Sequence, residues 1–316
     1  MKVLVTGSAG YLGKVILNHL SSRGYETVGL DINNSGASDG AAGRFYLCDI
    51  TDRARLGEIF SCERPDAVVH FASTFHRVRD REKEYAIDIG GSRNLLEAAS
   101  LTPSVRKFIY SSSAAIYGAS RREKMWLDET DPANPGGYRY GINKKLTEEM
   151  LFSGNGSINF QVVSLRLCTV VGPLYSRPKS VVSILLRLPV LPASFRHTRL
   201  QFMHEEDFAE ITGRIIDEDV EGLFNIAPGS CTVVEDVVPA GRFRHFPCRL
   251  LIPAMWLLWH LRLCNLQPAG FGYCLYPVVM DSTKLVRRFD YQFRYSSSEA
   301  FLAAQATNMI PSGARF

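Results

Sequence analysis

The chain opens with an apolar run that gives way to a helical pattern within a few residues. Lys2–Thr6 has the continuous apolar character of a buried parallel strand, and the apolar positions between Leu12 and Leu20 recur at helical spacing. Further apolar runs predict strands at residues 27–30, 44–47, 67–71, 107–110, 161–167 and 223–226. Helical spacing predicts helices at 81–101, 140–152 and 207–217.

Strands and helices that alternate in this way predict a parallel sheet covered on both faces by right-handed crossovers, which is the doubly wound α/β (Rossmann) fold. We expect a nucleotide-binding domain in residues 1–170, with a strand and a helix that return to it near residues 201–227. Residues 171–200 and 228–316 are less regular and contain proline-rich loops. They are predicted to form a smaller, C-terminal substrate-binding lobe.

Three glycines, Gly7, Gly10 and Gly13, stand at the turn between the first strand and the first helix, in the spacing GxxGxxG. The first suits a tight turn, the second lets the backbone approach a pyrophosphate, and the third allows the helix to pack on the strand. The helix that begins at Tyr11 and Leu12 then offers unpaired N–H groups to phosphates. A glycine-rich turn without a ligand is the alternative for the glycines alone.

An acidic residue, Asp31, ends the second apolar run, where a carboxylate can accept hydrogen bonds from ribose hydroxyls. Residues 32–34 contain no Lys or Arg that would receive a 2′-phosphate, so NAD is favoured over NADP. Asp49 and Ile50 follow the third strand, where they can meet the adenine amino group and cover the ring, or Asp49 can cap the next helix. The strand end at Phe71, Ala72 and Ser73 is the other predicted wall of the cofactor site.

Composition and charge narrow the function classes. The formal net charge of +4 is small for 316 residues and the basic residues are dispersed, so we expect no nucleic-acid partner. Seven cysteines without a CxxC pair indicate reduced thiols and neither a disulfide framework nor a zinc site; no metal is expected. Because the first strand begins at Lys2, the sequence leaves no room for a signal peptide, and a cytoplasmic location is expected.

The segment at residues 250–266 is strongly apolar but contains Pro253, His260 and Arg262. It is too short and too interrupted for a membrane span, so no transmembrane segment is expected. A helix in the core or in a pocket wall is the main interpretation, and peripheral membrane contact is the alternative.

Ser113, Tyr140 and Lys144 are the candidate catalytic residues. Ser113 follows a predicted strand, and Tyr140 and Lys144 lie one helical turn apart on one helix face. A tyrosine is a poor base at neutral pH unless a positive charge stabilises its phenolate, and Lys144 can supply that charge. Tyr140 would then take a proton from a substrate hydroxyl as hydride leaves the same carbon, and Ser113 would hold that oxygen.

At this point the chain resembles the extended short-chain dehydrogenase/reductase family, the NAD-dependent epimerase/dehydratase group that includes the UDP-galactose 4-epimerases. The resemblance covers nearly the whole chain, and it rests on TGSAGYLG (6–13), DI (49–50), HFA (70–72), KFIYSSSAAIYG (107–118), YGINK (140–144), LRLCTVVGP (165–173) and FMHEED (202–207). It implies catalytic roles for Ser113, Tyr140 and Lys144, and contact of Tyr140 and Lys144 with the nicotinamide ribose side of the cofactor. It also implies cofactor contacts for Asp31, Asp49, Ile50, Phe71 and Ala72.

The sequence departs from the family pattern at several positions. Asp88 stands where many members have Asn in an NxxGT pattern, and Thr169 where the epimerases have Asn. Ala114 and Ala115 replace the Asp-Glu pair that the dehydratases use for acid and base steps of water loss. We therefore do not expect 4,6-dehydration.

The substrate is the least explicit feature of the sequence. Epimerisation of a nucleotide sugar at C4 is the first hypothesis, although Leu200 occupies the place of an expected phosphate-binding Arg, with Arg199 beside it. Arg177, Lys179, Arg242, Arg244 and Arg249 are further candidates for holding a substrate phosphate. The aromatic content of the lobe favours a second hypothesis, oxidation or reduction of an apolar, sterol- or lipid-like alcohol or ketone. A catalytically silent NAD-binding subunit is a third, and by resemblance helices 82–101 and 140–152 would pair in a homodimer.

Overall fold

The computed structural model describes residues 1–34, 43–74, 80–120, 122–153, 158–174, 191–238, 240–245, 248–262, 270 and 272–308. The strands are β1 Lys2–Thr6, β2 Glu26–Asp31, β3 Arg44–Leu47, β4 Ala67–His70, β5 Lys107–Ser113, β6 Trp126–Leu127, β7 Gln161–Leu167, β8 Thr169–Val171, β9 Leu191–Pro192, β10 Arg199–Leu200, β11 Phe202–His204, β12 Gly222–Ile226, β13 Thr232–Val233, β14 Phe243–Arg244 and β15 Val279–Met280. The α-helices are α1 Tyr11–Ser22, α2 Arg53–Glu63, α3 Arg81–Tyr85, α4 Ser92–Ser100, α5 Arg139–Phe152, α6 Glu205–Asp217, α7 Val234–Val237, α8 Cys248–His260, α9 Gly272–Leu275, α10 Thr283–Phe289 and α11 Ser297–Asn308.

Within the described residues, the main sheet has seven strands in the order β12-β7-β5-β4-β1-β2-β3. The pairs β1–β2, β1–β4, β2–β3 and β4–β5 are parallel, and Thr6 lies opposite both Leu30 and His70. The strand order reverses between β1 and β4, because β2 continues the sheet on one side and β4 on the other. A reversal of this kind opens a crevice at the carboxyl ends of the strands. The prediction of a doubly wound parallel sheet is confirmed.

The chain divides into two compact units. The first contains residues 1–116, 139–166 and 209–224, and the second contains residues 117–138, 167–208 and 225–316. Residues 117–138, which the sequence analysis assigned to the nucleotide-binding domain, thus pack with the second unit. The limits of the functional domains stay a prediction.

The first unit is held by side chains that pack between the sheet and the helices α2 and α4. Leu4, Val68 and Phe108 project from neighbouring strands, and they meet Leu56 of α2 and Leu95 of α4, all of them fully buried. Full burial of one such side chain contributes about 1.5–3 kcal/mol. The carboxyl edge of the sheet is therefore supported by a closely packed apolar core.

Two buried cations, Arg166 and Lys107, hold helices in the first unit. The Arg166 Nη2 atom on β7 lies 2.8 Å from Glu148 Oε2 on α5, and Ser164 donates to the same carboxylate at 2.9 Å. The Lys107 Nζ atom on β5 donates to the Ile215 carbonyl oxygen at 2.6 Å, near the end of α6, where orphan carbonyls need donors. The first contact matters for the site because α5 carries Tyr140 and Lys144.

The predicted helix at residues 81–101 is interrupted in its middle. A π-helical segment, Ala86–Gly91, connects α3 to α4, so the segment stays helical but contains an extra residue in its turn. A Cβ atom on Gly91 would lie 2.5 Å from Ile50 Cδ1, which shows how closely the segment approaches the loop after β3. The π-turn also aims Asp88 inwards, where it is buried.

The second unit contains short strand pairs, and buried side-chain amides connect its segments. The Gln201 side chain donates to the Pro228 and Met280 carbonyl oxygens at 2.8 and 3.0 Å and accepts from the Met280 amide at 2.9 Å. The Asn225 amide joins Leu127 to Asp281 in the same way, at 2.9 and 3.0 Å. These side-chain amides connect segments that backbone hydrogen bonds between strands would connect in a larger sheet.

The helix α8, within the apolar segment 250–266, does not form core in its described part. Leu250, Trp256 and Leu257 are more than half exposed, so the interpretation of this segment as a core helix was wrong for these residues. The sequence pattern could not show this exposure, because the backbone hydrogen bonds of a helix form within the helix whether its apolar side chains are buried or exposed. No helix in the described part of the chain is long and apolar enough to cross a membrane.

Candidate active site

The glycine turn after β1 has a geometry that side chains would obstruct. Gly7 has a φ of +67°, and a Cβ atom there would lie 2.7 Å from the Ala72 amide nitrogen. A Cβ atom on Gly13 would lie 2.3 Å from the Gly7 carbonyl oxygen. The turn therefore packs closely against the end of β4. This is a cradle suited to a pyrophosphate.

The N-terminus of α1 lies in this cradle without a side-chain cap. Gly10 is the N-cap residue, no side chain caps the helix there, and the first turn, which begins at Tyr11 and Leu12, contains no acidic residue. Asp31 lies beside the turn, because its Oδ2 atom accepts from the Ala9 amide at 3.0 Å and its Oδ1 atom from the Asn33 amide at 2.9 Å. The carboxylate thus stands next to the phosphate cradle, as ribose recognition requires.

Asp49 and Ile50 have different environments. The exposed Asp49 side chain accepts from the amide and the hydroxyl of Thr51, both at 2.9 Å, and Asp52 caps α2 by accepting from Arg55 at 3.0 Å. The alternative that Asp49 caps this helix is therefore wrong. Ile50 is 3% exposed and belongs to the core, with little surface to offer a ring. Adenine contacts of both residues stay predictions.

The other wall of the crevice is the strand end at Phe71, Ala72 and Ser73. The Phe71 amide donates to the Thr6 carbonyl oxygen at 3.2 Å and the Ala72 amide to Thr6 Oγ1 at 3.3 Å, so β1 fixes this strand end. The buried hydroxyls of Ser73, Ser8 and Ser112 have no hydrogen-bond partner among the residues that the structure describes. Three unsatisfied hydroxyls after β1, after β4 and within β5 fit a polar ligand at this edge.

The structure brings the three candidate catalytic residues together. A hydrogen bond joins the Ser113 and Tyr140 side chains. The Lys144 Nζ atom lies 5.5 Å from the centre of the Tyr140 ring and 4.8 Å from that of the Tyr110 ring. It donates to the Ser111 carbonyl oxygen at 2.6 Å, which ties α5 to β5. The ammonium therefore lies beside the phenol in an environment with little water.

Burial dominates the protonation of this group. It lowers the pKa of Lys144 to about 8, while the negative charges of Asp88 and Glu148 act in the opposite direction. Desolvation raises the pKa of the Tyr140 phenol above its usual range, the hydrogen bond with Ser113 lowers it, and Asp88 raises it further. A tyrosine in this setting holds its proton, so that acting as a base requires further positive charge nearby.

Asp88 is the residue whose importance the sequence analysis did not recognise, although it noted the departure from Asn. Its buried carboxylate accepts from the amide and the hydroxyl of Thr74 at 2.9 and 3.0 Å and from Asn143 Nδ2 at 2.9 Å. Asp88, Asn143 and Lys144 line one small cleft. Asn143 is the residue just before Lys144, so the π-segment is tied directly to the catalytic helix.

A second hydrogen-bond network, centred on His70, lies beneath the crevice. His70 Nδ1 lies 2.8 Å from Thr6 Oγ1, His70 Nε2 lies 2.8 Å from Ser92 Oγ, and Ser92 donates to the Asp88 carbonyl oxygen. Burial lowers the pKa of His70 to about 3, so the ring is neutral. Because Ser92 uses its proton on Asp88, we assign the His70 proton to Nε2. This hydrogen-bond network connects β1, β4 and the π-helical segment to one another.

The candidates for a substrate phosphate are spread over the second unit. Arg199 is exposed on β10, and Leu200 packs against the apolar core of the unit. Arg244 donates to the Gly241 carbonyl oxygen at 2.6 Å, and Arg242 is half-buried. Arg177 and Lys179 lie outside the described residues, as does the side chain of Arg249. The described residues contain no group of three or more His, Cys, Asp or Glu that could hold a metal ion.

Comparison with known proteins agrees with this geometry. The model of the NAD dependent epimerase/dehydratase family matches residues 3–227. The chain is 27% identical to the UDP-glucose 4-epimerase of Mycoplasma genitalium over 228 residues, which are 68% of this chain and 66% of that enzyme. It is 35% identical to the UDP-glucose 4-epimerase of Yersinia enterocolitica over 187 residues, which are 54% of each chain. These matches span about half to two thirds of the relatives' length.

Among solved structures, the UDP-glucose 4-epimerase of Thermotoga maritima is similar, with a TM-score of 0.77 and 25% identity, over 97% of this chain and 98% of that one. The extended short-chain dehydrogenase/reductase resemblance is thus confirmed, and with it the expectation of an enzyme. The matching family is NAD-dependent, which confirms the prediction of NAD as the cofactor. The chain belongs to the NAD dependent epimerase/dehydratase family.

Proposed function

We propose that the chain epimerises a nucleotide sugar at C4 by Tyr-assisted hydride transfer with NAD. The observation that carries the proposal is the assembly of Ser113, Tyr140 and Lys144 beside the glycine turn, at the carboxyl edge of one sheet. The similarity to UDP-glucose 4-epimerases supports the substrate class. The residues of the glycine turn, with Asp31 and the strand end at 71–73, would hold the cofactor.

When bound, NAD accepts a hydride from the substrate carbon and returns it. Tyr140 takes the proton of the hydroxyl on that carbon as the C–H bond breaks, so that the alcohol becomes a ketone. The Ser113 hydroxyl donates a hydrogen bond to the same oxygen. Return of the hydride to the opposite face, with return of the proton by Tyr140, gives the epimer, and the overall reaction consumes no oxidant.

Lys144 makes this proton transfer accessible near neutral pH. Its ammonium is largely charged below its pKa of about 8, and it lies on the same side of α5 as the phenol. A positive charge stabilises the phenolate against the desolvation that raises the pKa of Tyr140. Lys144 is therefore the residue that adjusts the base, and Tyr140 is the residue that transfers the proton.

The alternatives have weaker support. The hypothesis of an apolar alcohol rested on the aromatic and apolar side chains of the C-terminal half. Trp256 and Leu257 are exposed to solvent, so these two do not argue for an enclosed apolar pocket. A catalytically silent subunit has no need to keep a catalytic serine, tyrosine and lysine in contact. Both remain outcomes that a substrate screen can reveal.

The proposal is tested with purified protein, NAD and UDP-galactose, with UDP-glucose measured as the product. We expect turnover in the wild type and a loss of at least about a hundredfold in Tyr140→Phe, because the general acid–base contribution is lost. Tyr138→Phe is the matched control, since that tyrosine has Ile142 rather than a lysine four residues on. Full activity of Tyr140→Phe would show that the proton passes through another group.

A screen by thermal shift extends the test to other substrates. UDP-, GDP- and dTDP-sugars are compared with sterols and other apolar alcohols in the presence of NAD, since a ligand that binds the native state raises its stability. Stabilisation by the apolar set alone would overturn the assignment of a sugar substrate.

The quaternary structure is part of the proposal. By the family resemblance, α5 and the helical segment at residues 81–100 would pair with the same helices of a second copy. Tyr85, Leu146 and Phe152 are exposed apolar side chains on these helices, as a contact surface requires. Light scattering checks this, and a monomer at working concentration would contradict it. A cytoplasmic location stays a prediction.

A further inference from the structure

The helix α8 presents an apolar face to solvent. Leu250, Leu257, Leu258 and Leu261, the last just beyond the helix end, are 58%, 53%, 38% and 57% exposed. At about 100° of rotation per residue these four positions fall within an arc of about 100°, so they form one stripe. We call these four leucines the α8 stripe. Single exposed leucines are ordinary, but a contiguous stripe marks an interaction surface.

The sequence on both sides of the stripe is cationic. Between Asp236 and Asp281 the sequence has no acidic residue, and it has four arginines. Arg244 precedes α8 in the chain and Arg262 follows it, and both are exposed. A partner that covers the stripe must be apolar in the middle and negatively charged around it. An anionic lipid surface has this combination.

An exposed tryptophan lies on the same helix, outside the stripe and about 100° from its nearest edge. Trp256 is 55% exposed, and its ring stacks on His260 at 3.8 Å between ring centres. The His260 Nδ1 atom lies 2.8 Å from the Trp256 carbonyl oxygen, which orients the imidazole. Tryptophan and cationic side chains are the residues that favour the boundary between lipid headgroups and acyl chains. With the stripe turned towards the bilayer, the Trp256 ring lies on the headgroup side of the helix.

We propose that α8 is a docking surface for an anionic membrane, on which the helix lies parallel to the bilayer plane with the α8 stripe among the acyl chains. Its 13 residues give a length of about 20 Å, which suits a helix in the interface plane. Arg244 and Arg262 contact lipid phosphates at the two ends. The proposal does not depend on which substrate the enzyme uses.

A second copy of the chain fits the same surface less well. A twofold contact across the stripe would bring the arginines of both copies to one interface. In the region from 237 to 280 no carboxylate is available to pair with them. Repulsion between like charges would oppose such a dimer, whereas an anionic bilayer relieves it.

The test is flotation of the purified full chain with vesicles of phosphatidylcholine and phosphatidylserine, and with vesicles of phosphatidylcholine alone. We expect binding to the anionic vesicles, weakened when ionic strength rises from about 0.1 to about 0.5 M. The double variant Leu257→Ser/Leu261→Ser should bind at least about tenfold more weakly, because two apolar side chains no longer enter the bilayer. The double variant Arg244→Gln/Arg262→Gln should lose about 25-fold, at about fivefold for each arginine.

Matched controls come from the same unit. Leu302→Ser removes a leucine that is equally exposed on α11, and Arg287→Gln removes an exposed arginine of α10; neither should change vesicle binding. A blue shift of tryptophan emission on anionic vesicles that disappears in Trp256→Phe would place α8 at the lipid. Absence of vesicle binding, equal loss in the control variants, or self-association that the leucine variant abolishes without any vesicle binding would overturn the proposal.

Discussion

The substitution Asp88→Asn tests whether the buried carboxylate sets the charge state of Lys144, the proposed catalytic lysine. Asparagine is the residue that the family pattern has at this position, and it has nearly the same shape as aspartate. The change removes one negative charge from the cleft that Asp88 and Lys144 share. Since Asp88 acts to raise the pKa of Lys144, its removal should lower that pKa.

The size of the effect follows from the surroundings of Lys144. Burial has brought its pKa down to about 8 against the action of Asp88 and Glu148. The other titratable groups nearby are the neutral His70 and the phenols Tyr110 and Tyr140, which carry no opposing charge at neutral pH. A nearby opposite charge is worth about 1–3 pKa units, and three donors already share the Asp88 charge. We therefore expect a fall of about one unit.

The assay is an NMR titration of protein labelled at lysine Cε, with the Lys144 resonance assigned from Lys144→Arg. Glu97→Gln is the matched control, because it removes a carboxylate from the next helix, α4, on an exposed side chain. Turnover should follow: Asp88 also raises the pKa of Tyr140, so both limbs of the pH–rate profile should move to lower pH in Asp88→Asn. An unchanged or raised pKa of Lys144 in a folded variant would refute the reasoning.

Three further substitutions test the frame of the site. Gly7→Ala places a side chain at a φ of +67°, so we expect the free energy of unfolding to fall by at least about 1–2 kcal/mol and NAD binding to weaken. Gly137→Ala is the control, because a Cβ atom there meets no other atom, and chemical denaturation should show a smaller loss of stability. Arg166→Leu leaves a buried carboxylate without its cation and should cost about 3–5 kcal/mol, whereas the exposed Arg287→Leu should cost little in the same assay. Asp31→Asn should weaken NAD binding about five- to tenfold in calorimetry and reduce the preference for NAD over NADP, because a neutral amide accepts hydrogen bonds less strongly; unchanged NAD affinity would remove Asp31 from the ribose site.

The sheet was predictable because its evidence lies in local sequence. A parallel strand buried on both faces is a run of apolar residues, and each such run between Lys2 and Leu167 became a strand with ends within a few residues of the prediction. The glycine spacing also determines the turn, since Gly7 and Gly13 sit where any Cβ atom would meet backbone. For the same reason Ser113 could be assigned to a strand end before its partners were known.

The π-turn and the polar network around it were beyond reach from sequence. A helix pattern with Gly90 and Gly91 in its middle indicates weakness, but it does not tell which residue is added to the turn or where Asp88 then points. The partners of Asp88, Thr74 and Asn143, are 14 and 55 residues away in the chain. Such contacts depend on tertiary packing, and no periodicity reports them. The exposure of α8 was missed for the same reason.

The departures from the family pattern divide between chemistry and specificity in a way that the fold explains. The proposed proton transfer uses groups on β5 and α5, whereas Asp88 lies on the π-helical segment Ala86–Gly91. Aspartate in place of asparagine there changes the charge near these groups without replacing any of them. In the second unit, for which substrate binding is a proposal, alternation along β10 puts Arg199 and Leu200 on opposite faces. Leu200 packs against the apolar core of that unit, and a phosphate-binding arginine at 200 would have to leave it. Arg199 faces the other way, towards solvent. A cation that could bind a phosphate is therefore still present on β10, one residue earlier and on the opposite face.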